Sequence, residues 1–213
     1  DGRLASARPD LAITSSSTGA VWTDRKGLAW VDPASHEVWE YNAAVAREAF
    51  NRGFDEVNFD YIRFPSDGDM RNLSYPAWDG QARASVLGAF WTYLRSEFPG
   101  KQISADLFGL TTVDFGDLGI GQRFQFALPH FDHIAPMVYP SHYASGVFGF
   151  ANPAEHPYEI VKRSLEGAVG QIKAYQAAHA STTSPAASSE IPTAKLRPWL
   201  QDFNLGATYT AEM

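Results

Sequence analysis

The chain predicts an α/β fold in which parallel strands alternate with helices, and three observations carry that prediction. Helical and strand-like stretches follow one another four times, helix first each time. That order builds a parallel sheet through right-handed crossovers. No glycine-rich phosphate loop follows any strand-like stretch, which weakens the nucleotide-binding form of a doubly wound sheet. Polar residues gather at the C-terminal end of each strand, where a β/α barrel carries its chemistry. A doubly wound sheet and a β/α barrel both fit this pattern. Four strands cannot close an eight-stranded barrel, so the barrel version requires strands beyond one or both ends of the chain.

Each element has its own local cause. Residues 1–33 read as loop, with "TSSSTG" followed by two tryptophans in "WTDRKGLAWVDP". Pro33 opens a helical stretch that Ser35 can cap, with Val38, Tyr41, Val45 and Ala49 at helical spacing and Gly53 as the stop. "EVNFDYIRF" reads as a strand ended by Pro65 and the turn "SDGD". A helix over 79–97 is broken by "PGK", and "QISADLFGL" is the second strand. A short helix near 119–129 precedes the third strand, "DHIAPMVYP". "PYEIVKRSLEGAVGQIKAYQAA" is a helix with Pro157 near its start. The Ser/Thr/Ala/Pro-rich run at about 180–194 reads as a flexible surface insertion, and "LRPWLQDF" as the last strand.

The totals exclude several functions. With 213 residues and ample apolar content, the chain is about the size of one packed domain. A net charge of −7 argues against a nucleic-acid partner. The absence of cysteine removes disulfides, thiolate metal sites and a cysteine nucleophile. No apolar run is long enough to span a membrane. The opening "DGRLASARPD" is not a signal peptide, and it lacks an initiating Met, so a fragment of a longer protein is expected. The six histidines show no paired zinc spacing, and the "SDGD" turn does not match a calcium loop, so no metal or cofactor is expected.

Strands buried on both faces are nearly all apolar, so their polar residues call for a reason. Alternation puts Asn58, Asp60 and Ile62 on one face of the first strand, and Ser104, Asp106 and Phe108 on one face of the second. Asp60 and Asp106 then stand on neighbouring strand ends and are the candidate catalytic pair. Two carboxylates across a cleft suit glycoside hydrolysis, about 5–5.5 Å apart in a retaining enzyme or about 6.5–9.5 Å apart in an inverting one. Asp60 is read as nucleophile or charge stabiliser and Asp106 as general acid/base, with the exchange of roles left open. The competing readings are an Asp60–Arg63 structural pair and an Asp106 that anchors the turn before Gly109.

Substrate-binding candidates are Arg63, Tyr139, His142, Asp202 and Trp30, with Trp39, Trp78 and Tyr143 as further aromatic platforms. Each has a plainer alternative. Arg63 can form an outward salt bridge, Trp30 and Trp39 can pack helices, Tyr139 can belong to the core, and His142 can be a structural hydrogen-bonder. Of Gln201 and Asp202 only one can face inward, and Asp202 is preferred.

Several long strings, "FDYIRFPSDG", "ISADLFG", "HIAPMVYPSHY", "NPAEHPYE" and "LRPWLQDF", occur in order along nearly the whole chain. In these the sequence resembles the bacterial "putative glycosyl hydrolase domain" family (domain of unknown function 4015). The resemblance implies a glycosidase-like (β/α)8 TIM barrel here lacking its first strands and its last, carbohydrate hydrolysis without a cofactor, and an extracellular or cell-envelope setting. Asp60 in "FDYIRFP" and Asp106 in "SADLFG" match family positions. The expectation is therefore a single partial barrel domain over 1–213 that hydrolyses a poly- or oligosaccharide. A non-catalytic carbohydrate-binding barrel and a metal-dependent polysaccharide deacetylase are its rivals.

Overall fold

A computed structural model of the chain describes residues 2–180 and 193–210. These fall into two compact units. One takes the chain up to Val57, Tyr61–Ile103 and Asp117–Gln122; the other takes Asn58–Asp60, Ser104–Gly116 and the residues from Arg123 on.

In the first unit, the stretch expected to be loop is partly ordered. It contains helix α1 (Gly2–Ala7) and a 3-10 turn over Pro9–Leu11. Strand β1 (Thr14–Ser15) pairs antiparallel with β3 (Leu73–Ser74). The cause is burial. Leu11, Ala12, Ile13 and Trp22 are core residues, and backbone bonds from Ile13 to Trp30 and from Trp22 to Ile13 tie the segment down. The buried Asp32 carboxylate accepts the backbone N–H groups of Ala34, Ala77 and Trp78, so it joins two loops.

Helix α2 (His36–Asn51) begins where the sequence places it. The Ser35 hydroxyl accepts the Val38 N–H, and Gly53 closes the helix at φ +93°. Its buried stripe is Val38, Trp39, Ala43 and Ala46, whereas Tyr41 and Val45 are 38% and 55% exposed. The expected apolar face is thus rotated. Trp39 decides this: its ring lies 5.4 Å from Phe90 and 6.1 Å from Tyr93 of α3 (Arg83–Glu97). Helix α3 starts four residues later than expected, because Asp79 accepts the Gln81 N–H and holds that stretch as a turn.

Strand β2 (Glu56–Phe59) is shorter than its apolar pattern suggests. Tyr61 adopts φ +55°, and a left-handed residue ends extended pairing. Strand β4 (Gln102–Phe108) has buried residues on both faces, as a parallel strand should. After it come a 3-10 turn at Gly109–Thr112, helix α4 (Phe124–Ala127), β5 (His133–Val138) and α5 (Pro157–Ala180). The buried Gln171 of α5 donates to the carbonyls of Thr111 and Thr112 and clamps that turn. A Cβ on Gly109 would collide with the Met137 carbonyl, so the turn packs closely on β5.

The final strand is two short ones, β6 (Lys195–Leu196) and β7 (Trp199–Leu200). Pro198 lies between them and offers no N–H to the ladder. The sheet runs β2-β4-β5-β6, with β7 also on β5, and β5 pairs in parallel with β4, β6 and β7. The fold is therefore mixed α/β with parallel pairing between helix–strand units, as the sequence predicts. Of the expected insertion at 180–194, residues 181–192 lie outside the described residues. Ala194 is held by its N–H to the Leu128 carbonyl.

Candidate functional site

Two clusters of site residues form, one in each unit. In the second unit, Ser104 and Asp106 stand on the same face of β4, two residues apart. Both are buried, Asp106 at 5% exposure. The segment carrying β6 and β7 reaches them with two side chains. Arg197 Nη2 donates to Ser104 Oγ at 3.1 Å, and Ser104 Oγ donates to Asn58 Oδ1 at 2.8 Å. The Trp199 indole N–H donates to Asp106 Oδ1 at 2.8 Å. Asp106 is thus a partnered buried carboxylate, as a buried charge requires.

Asp60 follows the end of β2 and is exposed. Exposure alternates over Asn58, Phe59 and Asp60, but pairing stops at Phe59 and the left-handed Tyr61 breaks the pattern before Ile62. Tyr139, just past β5, relates the two acids. Its phenol is held above the usual tyrosine range, first by burial and then by the negative charges of Asp106 and Asp60. Both carboxylates therefore act on one hydroxyl. Tyr139 also packs at a tilt against His142 at 5.4 Å and edge-on against Phe203 at 5.5 Å, and His142 meets Phe203 edge-on at 6.2 Å. His142 Nδ1 shares a 3.1 Å hydrogen bond with Ser141 Oγ.

Gln201 is structural. Its amide accepts the Ser141 N–H and donates to the Phe203 carbonyl, joining the loop after β5 to the loop after β7. Asp202 lines a cleft of about 400 Å³ beside the start of α5, with Tyr158, Lys162, Leu200 and Tyr209. Asp60, Asp106 and Tyr139 do not line that cleft.

In the first unit, Arg63 is 7% exposed, so the outward-facing salt bridge is overturned by burial. Its guanidinium lies 4.9 Å from the Trp30 ring centre and 4.8 Å from that of Tyr61, and Nη1 donates to the Phe64 carbonyl and the Ser66 hydroxyl. Trp30 is fixed by its N–H to Asp24 Oδ2 at 3.1 Å. Tyr61 is 56% exposed in its left-handed conformation. A tyrosine there costs on the order of 1–3 kcal/mol, which the surrounding contacts must offset.

Two aromatic platforms expected from sequence are instead core. Trp39 is buried between helices, and Tyr143 is buried with its hydroxyl 2.8 Å from Ser164 Oγ. Trp78 packs edge-on against Phe64 and Tyr75. The residues that sequence reasoning missed are Trp199, Arg197, Phe203 and Tyr61. For Trp199 and Arg197 the available signal was their i, i+2 spacing, matching Ser104 and Asp106. Among the described residues, no group of three or more His, Asp or Glu is placed to hold a metal, and no helix is long and apolar enough to cross a membrane.

Comparison with known proteins adds a family. The model described as "Putative glycosyl hydrolase domain" matches residues 1–213. No curated protein matches the chain. Among solved structures, a hypothetical protein from Ruminiclostridium thermocellum ATCC 27405 is similar over 50% of this chain and 53% of its own, at 38% identity and a TM-score of 0.45. An α-galactosidase from Thermus thermophilus in complex with stachyose is similar over 77% of this chain and 30% of its own, at 15% identity and a TM-score of 0.42. The same enzyme with p-nitrophenyl α-D-galactopyranoside matches 81% of this chain and 30% of its own at the same identity and TM-score. The chain thus spans about half the length of the first and under a third of the second. Likenesses at such TM-scores decide neither fold nor activity.

Proposed function

Because the chain belongs to the "Putative glycosyl hydrolase domain" family, we propose that it forms part of a (β/α)8-type barrel that hydrolyses O-glycosidic bonds in a poly- or oligosaccharide. Asp60 and Asp106 supply the acid/base and nucleophilic work without a cofactor. One carboxyl protonates the leaving oxygen, while the other attacks the anomeric carbon or activates water. Tyr139 and His142 contact the sugar near the acids, with Asp202 as a further contact of the same unit; Arg63 and Trp30 bind carbohydrate within the first unit. The observation that supports this best is the sheet order, which makes β2 and β4 neighbours and so puts Asp60, just past β2, and the buried Asp106 of β4 on adjacent strands.

The test is Asp60→Asn and Asp106→Asn in the protein that carries this chain, assayed on a polysaccharide panel. Each substitution is expected to lower kcat by about 2–4 decades with folding retained. Wild-type rates in either variant would remove that residue from the mechanism. A second reading, non-catalytic glycan binding, draws on the partly exposed Tyr139–His142–Phe203 cluster. It predicts binding that survives both aspartate substitutions and is lost in Phe203→Ala.

A further inference from the structure

Trp199 makes a contact with consequences for the proposed chemistry. Its register partner on β5 is Met137, and Asp106 is paired with Ala135. Paired residues of a parallel sheet point to the same face, so Ser104, Asp106, Ala135, Met137, Arg197 and Trp199 share one side. The Trp199 and Asp106 side chains meet across the full width of β5, two strand spacings or about 9.5 Å. Arg197 and Ser104 make a parallel crossing. Both pairs pass the β5 position that holds a buried alanine, whose methyl leaves room above the sheet. Two side chains from one segment, two residues apart, thus meet two polar groups on β4, also two residues apart. Trp199 nevertheless remains 50% exposed while its N–H is committed to Asp106.

From this geometry we infer that Trp199 is a positioning residue for Asp106 and, with the exposed face of the same ring, the platform on which a pyranose stacks. The inference rests on the proposed function and deepens it. The indole N–H is a donor only, so it fixes Asp106 Oδ1 as an acceptor and sets the rotamer of the carboxylate. That bond lies in the ring plane, so the carboxylate sits at the ring edge. A sugar whose apolar face rests on the indole therefore presents its own rim to Asp106. Aromatic rings serve this use because they offer a rigid apolar face with a polar edge.

Two variants separate the two duties. Trp199→Phe keeps an aromatic face and removes the donor. Trp199→Gln keeps an N–H donor of similar reach and removes the face. With a panel of soluble oligosaccharides, Trp199→Phe is expected to lower kcat by about tenfold or more with KM within about twofold, since a misplaced reacting group costs rate. Trp199→Gln is expected to raise KM and weaken calorimetrically measured binding by about tenfold, with kcat less affected. Trp199→Gln, which keeps the donor, should melt close to wild type, whereas Trp199→Phe takes a donor from the buried Asp106 and should melt lower, so its kinetics are read well below its midpoint. Hydrolysis by the wild type with both variants within twofold of it in kcat, KM and binding overturns the inference and leaves the proposed function standing. If the wild type binds without hydrolysing, the hydrolase reading fails and binding alone decides. Weakened binding in Trp199→Gln then supports the platform, and unchanged binding overturns it. A wild type that neither binds nor hydrolyses any of the panel overturns both.

Discussion

The ends of β2 and β4 each present an aspartate, and they are built in opposite ways. At the end of β4 the acid is buried, bonded by an indole reaching over a neighbouring strand, and followed by a glycine turn packed on β5. At the end of β2 the acid is exposed and followed by a tyrosine in left-handed backbone. The β4 end is specified by packing, where a misfit is felt at once. The β2 end is specified by a local turn that stores strain, as residues at working sites often do. Asp106 thus has a single defined setting, whereas Asp60 depends on the few residues around Tyr61.

Substitutions at the two ends sharpen this contrast, and the largest effect is expected at Gly109. Gly109→Ala drives a methyl into the Met137 carbonyl and should cost about 2–3 kcal/mol, read as a lower urea midpoint at constant m. A normal midpoint would mean that the β4 turn is looser than its packing implies. Next is alkaline pH. Burial pushes the Tyr143 phenol up to about 12, with the Ser164 hydrogen bond opposing. The unfolded phenol ionises near 10, so the contribution of Tyr143 is complete below that and is lost as pH rises toward 12. A fall of at most about 2–3 kcal/mol across that window is expected, and Tyr143→Phe should flatten the corresponding plot of Tm against pH.

Ala135→Leu comes third. It blocks the path of Arg197 and Trp199 across β5 and should destabilise by about 1–3 kcal/mol. It should also reproduce the kcat loss of Trp199→Phe. The smallest effect belongs to the β2 end. Tyr61→Gly relieves the positive φ and should leave stability unchanged or raise it by up to about 1 kcal/mol, in contrast to the usual penalty for glycine. A clear loss of Tm in that variant would show that the ring contacts with Trp30 and Arg63 outweigh the backbone strain.

The sequence made the β4 end legible and the β2 end only half so. The alternation of "QISADLF" placed Ser104 and Asp106 on one face, because a strand buried on both sides keeps strict period two. Its partners were not legible, since Trp199 and Arg197 meet β4 only after β5 has come between them. For "EVNFDYIRF" the same rule overran its range. Nothing about a tyrosine announces left-handed backbone, and no glycine marked the break. Ser35 and Gly53 bounded α2 correctly because caps are local chemistry. The buried stripe of that helix was misplaced because only the fold reveals that Trp39 meets Phe90. The order within residues 1–33 was not legible because "LAI" is too short to display any period, although its burial is complete or nearly so.

Gln171 couples a helix to a turn. A single amide on α5 donates to both carbonyls of the turn that follows Asp106 and Phe108. Were the helix to slide or fray there, two oxygens would lose their donor together, so the helix and the turn should breathe as one block. Amide hydrogen exchange in the middle of α5 and around residue 112 should then report a common opening energy, slower than that of the exposed bend around Tyr61.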